Sequence, residues 1–469
     1  MTHAPEEAAK RLRQCVDADG WLTDAEAMAP YLRESRGLFR GEALAVVRPA
    51  TTAEVAEVVR TCAETGIGIV PQGGNTGHCG GANPGGNSEI VLCLNRLNRI
   101  REVDAANFTL TAEAGCILAD VQAAAADQDR LFPLSYAAED RCLIGGNLST
   151  NAGGMNVLKY GNARDLCLGL EVVLADGRVW RGLNKLRKDN SGLDLKDVFI
   201  GAEGTLGIIT AATLKLYPRP RSTATAVVGL ADPAAAVALL ARLRADTADA
   251  LTACELMARR AVAFALRHDR TCAEPLPHEH PWYLLVDLSS SRPGDDLTAL
   301  LAETLTNAPD GSAYTVAADA QRAAALWRIR KAIPGAQQHE GGSIKHDVSV
   351  PISSIPRFLA CATTAVEAAM PGIRPCPFGH LGDGNIHFNL SQPPGMDTEA
   401  FVAQWDRLND IVHDIVHEMG GSFAAEHGVG KLKPRAVRAY KSAEEIDLMQ
   451  RLKAAWDPRG VLNPGKLYP

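Results

Sequence analysis

Apolar residues recur along the chain at two different periods. After Thr51 and Thr52, Val55, Val58, Val59 and Cys62 fall at helical spacing on one face, and the threonines offer an N-cap. That amphipathic helix ends near Thr65-Gly66. Gly66–Val70 then reads as a buried strand and Glu89–Leu94 as another. Residues 1–40 look helical and polar. Asp176-Gly177 stands between two apolar runs, a hairpin signal, and Phe199–Pro220 reads as a turn followed by a strand. From about residue 223 to 420 the texture changes: Ala-rich helical stretches such as Asp232–Asp246 alternate with strands such as Trp282–Leu288. The Pro-rich 218–222 segment marks a boundary. The expected organisation is an N-terminal helical segment 1–39, a first domain 40–220, a second 221–420 and a closing segment 421–469.

Composition narrows the function classes. Apolar residues make up 46% and charged residues 22%, an ordinary globular balance that excludes a disordered or coiled-coil chain. With 48 Lys plus Arg against 55 Asp plus Glu, the formal net charge of −7 argues against a non-specific nucleic-acid binder. No apolar run reaches the ~18 residues of a membrane span. The N-terminus lacks the apolar stretch of a secretory signal. The 11 cysteines include no CxxC pair, so a reducing, cytoplasmic setting is expected.

Glycine, at 42 residues, is concentrated in three stretches: Pro71–Asn87, Ile144–Gly161 and Phe199–Pro220. Such stretches let backbone amides converge on an anion. A Rossmann fingerprint needs a helix directly after the glycines, whereas His78–Ser88 is too rich in glycine and proline and leads into a strand. No GK[ST] follows, so a P-loop is also excluded. Pro71–Gly81, Leu143–Gly154, Gly169–Gly177, Gly201–Thr210 and Asp457–Lys466, in that order, resemble the vanillyl-alcohol-oxidase-type FAD-binding flavoproteins over residues 40–469. The resemblance implies an α+β fold, with a two-subdomain FAD-binding domain and an α+β cap domain carrying an antiparallel sheet. It places the flavin pyrophosphate on Pro71, Gln72, Gly73, Gly74, Asn75, Thr76 and Gly77. The second stretch contributes Gly145, Gly146, Ser149, Thr150, Gly153 and Gly154, with Ser135 also in the cofactor set. Glu203, Gly207 and Ile209 are implied on the adenine side, and Asn463 near the isoalloxazine. Asn75 stands where some relatives carry a covalently linked histidine, with His78 three residues on, so the FAD is expected to be non-covalent.

Phe378–Leu390 reads as strand, tight turn, strand, so His380 and His387 can face each other across it. His387 and Asn389 share a face. Two histidines and a carboxylate such as Glu426 suit zinc or a similar divalent metal with an open position. Among the other histidines, His278-Glu279-His280 lies between prolines and reads as a surface loop. His339-Glu340 lacks the second histidine of HExxH, and no GxSxG elbow exists.

Phe378–Leu390 and Ala424–Gly430 resemble the metal-dependent D-2-hydroxyacid dehydrogenases of this superfamily. There the equivalents of His380, His387 and Glu426 bind the metal, that of His427 is the catalytic base, and a hydride passes from the hydroxy acid to flavin N5. Trp327 and Arg330 are expected at a helix start, and Lys345 on a strand. In the D-2-hydroxyglutarate branch the residues matching Arg330 and Lys345 hold a distal carboxylate, and Asn389 joins the substrate set. Pro334 departs from the polar residue of the animal enzymes. A D-lactate or D-malate dehydrogenase of the same build, a zinc hydrolase and a non-catalytic flavoprotein subunit are the rival readings. The family implies an electron-transfer flavoprotein or a quinone as acceptor; a homodimer is the assembly considered.

Overall fold

A computed structural model describes residues 3–34, 36–306 and 313–468. The chain forms two compact units: Met1–Gly153 with Gly161–Arg219 and Glu426–Pro469, and Gly154–Tyr160 with Pro220–Ala425. No helix among the described residues is long and apolar enough to cross a membrane.

In the first unit the periodicity reads through directly. The helix Thr52–Thr65 is capped by the Thr51 side chain, which accepts from the Glu54 amide, and it ends at Gly66 with φ 72°. Val55, Val58, Val59 and Cys62 are fully buried. Gly68–Gln72 and Glu89–Cys93 pair in parallel, which explains their unbroken apolar runs, because both faces of a parallel strand are covered. Gly68–Gln72 ends its sheet. Beyond it runs the C-terminal segment: Ile69 donates to the Val461 carbonyl at 2.7 Å, and the Asn463 amide donates back to Ile69 at 2.7 Å. A second, antiparallel sheet runs in the order Ile100–Asp104, Thr109–Glu113, Ile208–Lys215, Cys167–Val173, Val179–Gly182. Its last two strands form the expected hairpin, with Gly177 at φ 81°.

The second unit is built on an antiparallel sheet whose strands alternate sides. Ala226, Val228, Leu256, Leu284, Val286, Ile386 and Phe388 pack with the helices Pro233–Thr247, Ile355–Ala369 and Trp405–Glu418. Val227, Met257, Tyr283, Leu285, Cys376 and Phe378 face the other way, against Arg259–His268 and Ala320–Gln338. By the same alternation Glu255, His380, His387 and Asn389 share that second face. Trp327 and Arg330 are not at a helix start. Their helix begins at Ala320, capped by the Asp319 side chain, and runs on through Pro334. Pro334 lacks the N–H that would bond the Arg330 carbonyl, so it removes one ladder bond without ending the helix.

Candidate active site

The first glycine stretch leaves the end of Gly68–Gln72. Among the described residues, the amides of Gly74, Thr76 and Gly77 donate to no protein acceptor, the condition of an anion nest. The Asn75 side chain turns away and donates to the carbonyls of Pro30 and Arg33, at 3.2 and 2.9 Å. The two glycines beside it have different causes. A Cβ on Gly74 would lie 2.1 Å from the Arg141 carbonyl oxygen, whereas one on Gly77 would meet no atom of the described residues within 4 Å.

The second glycine stretch is adjacent: a Cβ on Gly73 would lie 3.5 Å from Gly146 Cα. It folds as the short helix Ile144–Ser149. Asn147 in this helix is buried, accepts from the Tyr136 hydroxyl at 2.5 Å, and its Nδ2 has no oxygen or nitrogen acceptor among the described residues. Of the remaining cofactor residues, the Ser135 hydroxyl donates to Glu139 at 2.5 Å, the Thr150 hydroxyl bonds the Gly146 carbonyl at 3.0 Å, and the Ser149 carbonyl accepts from Glu203 at 2.8 Å. Gly154 opens the segment that belongs to the second unit. Asn463 is buried with φ 44°; its Nδ2 donates to the carbonyls of Gly81 and Glu203, at 3.0 and 2.7 Å, and its Oδ1 has no partner. Free amides, one orphan side-chain donor and one orphan acceptor fit a flavin, which carries a pyrophosphate and a ring with both acceptors and an N–H. Gln72 also serves the protein: its side-chain amide donates to the carbonyls of Tyr31 and Ala82, both at 2.9 Å.

Two adenine-side residues also have other duties. The Glu203 carboxylate accepts from the amides of Val429 and Gly430, at 2.7 and 2.8 Å, and burial pushes its pKa up. A Cβ on Gly207 would strike Val172 and Phe199. Glu203 therefore acts on the turn that carries His427. Cys79 helps: its Sγ lies 3.3 Å from the Gly428 carbonyl and its own carbonyl accepts from Lys431 at 2.8 Å. The outcome is that His427 stands beside the first glycine stretch, edge-to-face with His78 at 5.0 Å between ring centres, and its Nε2 lies 3.7 Å from Glu426 Oε1.

In the second unit, Arg374–His380 and Asn385–Ser391 form the expected hairpin, but the register pairs His380 with Asn385 and His387 with Phe378. The two histidines are thus diagonal rather than opposite, with ring centres 5.4 Å apart. Each has a carboxylate at Nδ1: Glu255 at 2.6 Å from His380, and Asp347 at 3.7 Å from His387. Asn385 Nδ2 fixes Asp347 by a 2.9 Å bond. Arg330, buried over the Phe378 ring at 4.8 Å, donates from Nε to Glu255 at 2.7 Å. Burial would raise the Glu255 carboxyl; its pairing with His380 and Arg330 outweighs this and holds the group below the usual carboxylate range. Asn389 donates to Gln337 on the arginine's helix at 3.0 Å. Lys345, half-buried, lies between the short strands Ser343–Ile344 and Asp347–Ser349 rather than on one.

Glu255, Asp347 and Asn147 escape a reading of the sequence alone. The available signal for Glu255 is a single acid within the buried strand Leu251–Ala258. That for Asp347 is a carboxylate inside a short β segment.

Comparisons with known proteins agree with this geometry. Residues 43–182 match the family described as FAD binding domain, and residues 219–467 match FAD linked oxidases, C-terminal domain. A D-2-hydroxyglutarate dehydrogenase of Xanthomonas citri is 36% identical over 97% of this chain and 96% of its own length. The mitochondrial D-2-hydroxyglutarate dehydrogenase of Bos taurus is 36% identical over 96% and 81%. A D-2-hydroxyglutarate–pyruvate transhydrogenase of Saccharomyces cerevisiae is 33% identical over 94% and 90%. The fold matches p-cresol methylhydroxylase with a TM-score of 0.77, at 18% identity over 99% of this chain and 97% of that one. By cradle, sheet and relatives alike, the chain belongs to the FAD-linked oxidases of the vanillyl-alcohol-oxidase type.

Proposed function

We propose that this FAD-dependent oxidoreductase converts D-2-hydroxyglutarate to 2-oxoglutarate. The observation that carries the reading is one sheet face with two histidines, each set against a carboxylate at Nδ1, and a buried arginine on the helix above. Relatives named for this substrate match over nearly the whole chain. FAD, held non-covalently, supplies the hydride acceptor, and a divalent metal, zinc in this reading, supplies charge that favours loss of the substrate's hydroxyl proton.

The chain's own residues do the rest. His380, whose Nδ1 is hydrogen-bonded to Glu255, presents Nε2 as the ligand atom, and His387 and Glu426 complete the set carried over from the sequence resemblance. His427 takes the hydroxyl proton, a transfer that suits an imidazole near neutral pH. Arg330 and Lys345 hold the distal carboxylate, and Asn389 borders it. The amides of Gly74–Gly77 hold the pyrophosphate. Electrons leave to a separate carrier, an electron-transfer flavoprotein or a quinone.

A second reading, D-lactate or D-malate oxidation, draws support from the pairing of Arg330 with Glu255, which already gives the arginine one counter-charge. An anaerobic panel of D-2-hydroxy acids, scored by bleaching of the flavin absorbance, decides between them. D-2-hydroxyglutarate should bleach at the lowest concentration; faster bleaching by D-lactate would overturn the substrate assignment.

A further inference from the structure

We infer that Glu255 is a positioning residue that ties the metal-ligating histidine to the substrate-binding arginine, and so sets the length of acid the site accepts. The inference rests on the function proposed above. Glu255 sits in a strand whose every residue is buried, flanked by Cys254 and Leu256, which face the opposite core. An acid there is costly unless both oxygens are satisfied by charged donors. They are: Oε1 takes His380 Nδ1 at 2.6 Å and Oε2 takes Arg330 Nε at 2.7 Å.

Each bond has a separate consequence. By accepting from Nδ1, Glu255 fixes the His380 tautomer and leaves Nε2 as a lone-pair donor, as carboxylates behind metal-bound histidines do. By taking Nε of Arg330, it occupies the side of the guanidinium and leaves the two Nη groups for a bidentate contact. Phe378, stacked on the same guanidinium, blocks rotation about that contact. Because one rigid carboxylate makes both bonds, the ligand histidine and the arginine cannot shift independently. A hydroxy acid whose near end is held at the histidines must then carry its far carboxylate at one fixed distance. A five-carbon diacid and a shorter one cannot both satisfy it.

The test uses the flavin-loaded protein stripped of metal, with zinc alone as the first probe. Glu255→Gln offers one acceptor and one donor, so it can serve only one of the two partners. Zinc should bind about 10- to 100-fold more weakly. KM for D-2-hydroxyglutarate should rise on the order of tenfold relative to D-malate, with the difference in KM rather than in kcat. Arg330→Gln guards against a misfolded Glu255 variant. Arg330 is not a ligand in this reading, yet its loss releases Glu255 and should weaken zinc several-fold.

Unchanged zinc affinity in both variants, with only thermal stability reduced, would make the triad a structural ion pair and overturn the inference. So would an equal loss of KM for long and short acids. If the unaltered protein takes up no zinc, the functional reading fails first and this one with it.

Discussion

In the proposed function the two units would hold a small anionic molecule in opposite ways. The first uses backbone: amides in a glycine stretch, a turn clamped by Glu203, and a C-terminal strand segment. The second uses side chains: histidines, carboxylates and an arginine on one sheet face. Backbone cradles resist substitution until a Cβ collides with something, whereas side-chain sites lose function one group at a time with the fold intact.

The largest effect should come from the side-chain chemistry. His427→Ala should keep its flavin and reduce it about 10²- to 10⁴-fold more slowly, measured by anaerobic stopped flow. Near-native reduction would take His427 out of the reaction. Lys345→Ala should cost D-2-hydroxyglutarate about 30-fold or more in kcat/KM while D-lactate changes only a few-fold, because removing one partner of a buried charge pair costs roughly 2–5 kcal/mol. Equal changes for both acids would end the two-carboxylate reading.

The backbone side is tested by a pair of glycines. Gly74→Ala forces a Cβ against the Arg141 carbonyl and should cost about 1–3 kcal/mol with loss of flavin. Gly77→Ala meets no atom of the described residues, so its folding stability should stay near wild type while flavin affinity falls. Both are read from thermal midpoints and from the flavin-to-protein ratio. If the two alanines behave alike, the open space at Gly77 does not belong to the cofactor.

A smaller effect concerns Lys466, which is fully buried with Glu89 at 3.9 Å. Burial, aided by the Lys431 charge and opposed by Glu89, pulls its pKa from 10.5 down to about 8. Below pH 8 the folded protein carries the buried charge. Between 8 and 10.5 the unfolded chain binds more protons, so this group's contribution to stability rises with pH. Lys466→Met should flatten that rise and raise the urea midpoint at pH 7. Parallel midpoint-against-pH curves would place the titration elsewhere.

How much of this was legible in the sequence also divides between the units. The glycine stretches, the Thr51 cap and the Asp176-Gly177 hairpin are local signals, and they read through. The side-chain site depends on which strands become neighbours. Glu255 reaches His380 because Leu251–Ala258 pairs with Arg374–His380, and nothing near Glu255 in sequence says so. The histidine pair was recognisable, but its diagonal offset follows from the register of the turn. Arg330 is expected at a helix start, yet its helix begins earlier, at the Asp319 cap, and continues past Pro334. Glu203 carries a motif signal, yet its carboxylate supports the His427 turn, a role set by contacts from the far end of the chain.

That far end has a consequence for biogenesis. Gly68–Gln72 lies at the margin of its sheet, and Val461–Asn463 covers it. On the ribosome, Gly68–Gln72 waits with one edge open until residues 461–463 have been translated. Closing so long a loop costs little extra in equilibrium free energy, since the entropy grows only logarithmically, but it comes late in time. An uncovered edge is meanwhile a template for wrong pairing. Newly made chains should therefore need chaperone protection, and colour should lag behind synthesis: a pulse-labelled protein would become yellow only after residues 461–463 have docked.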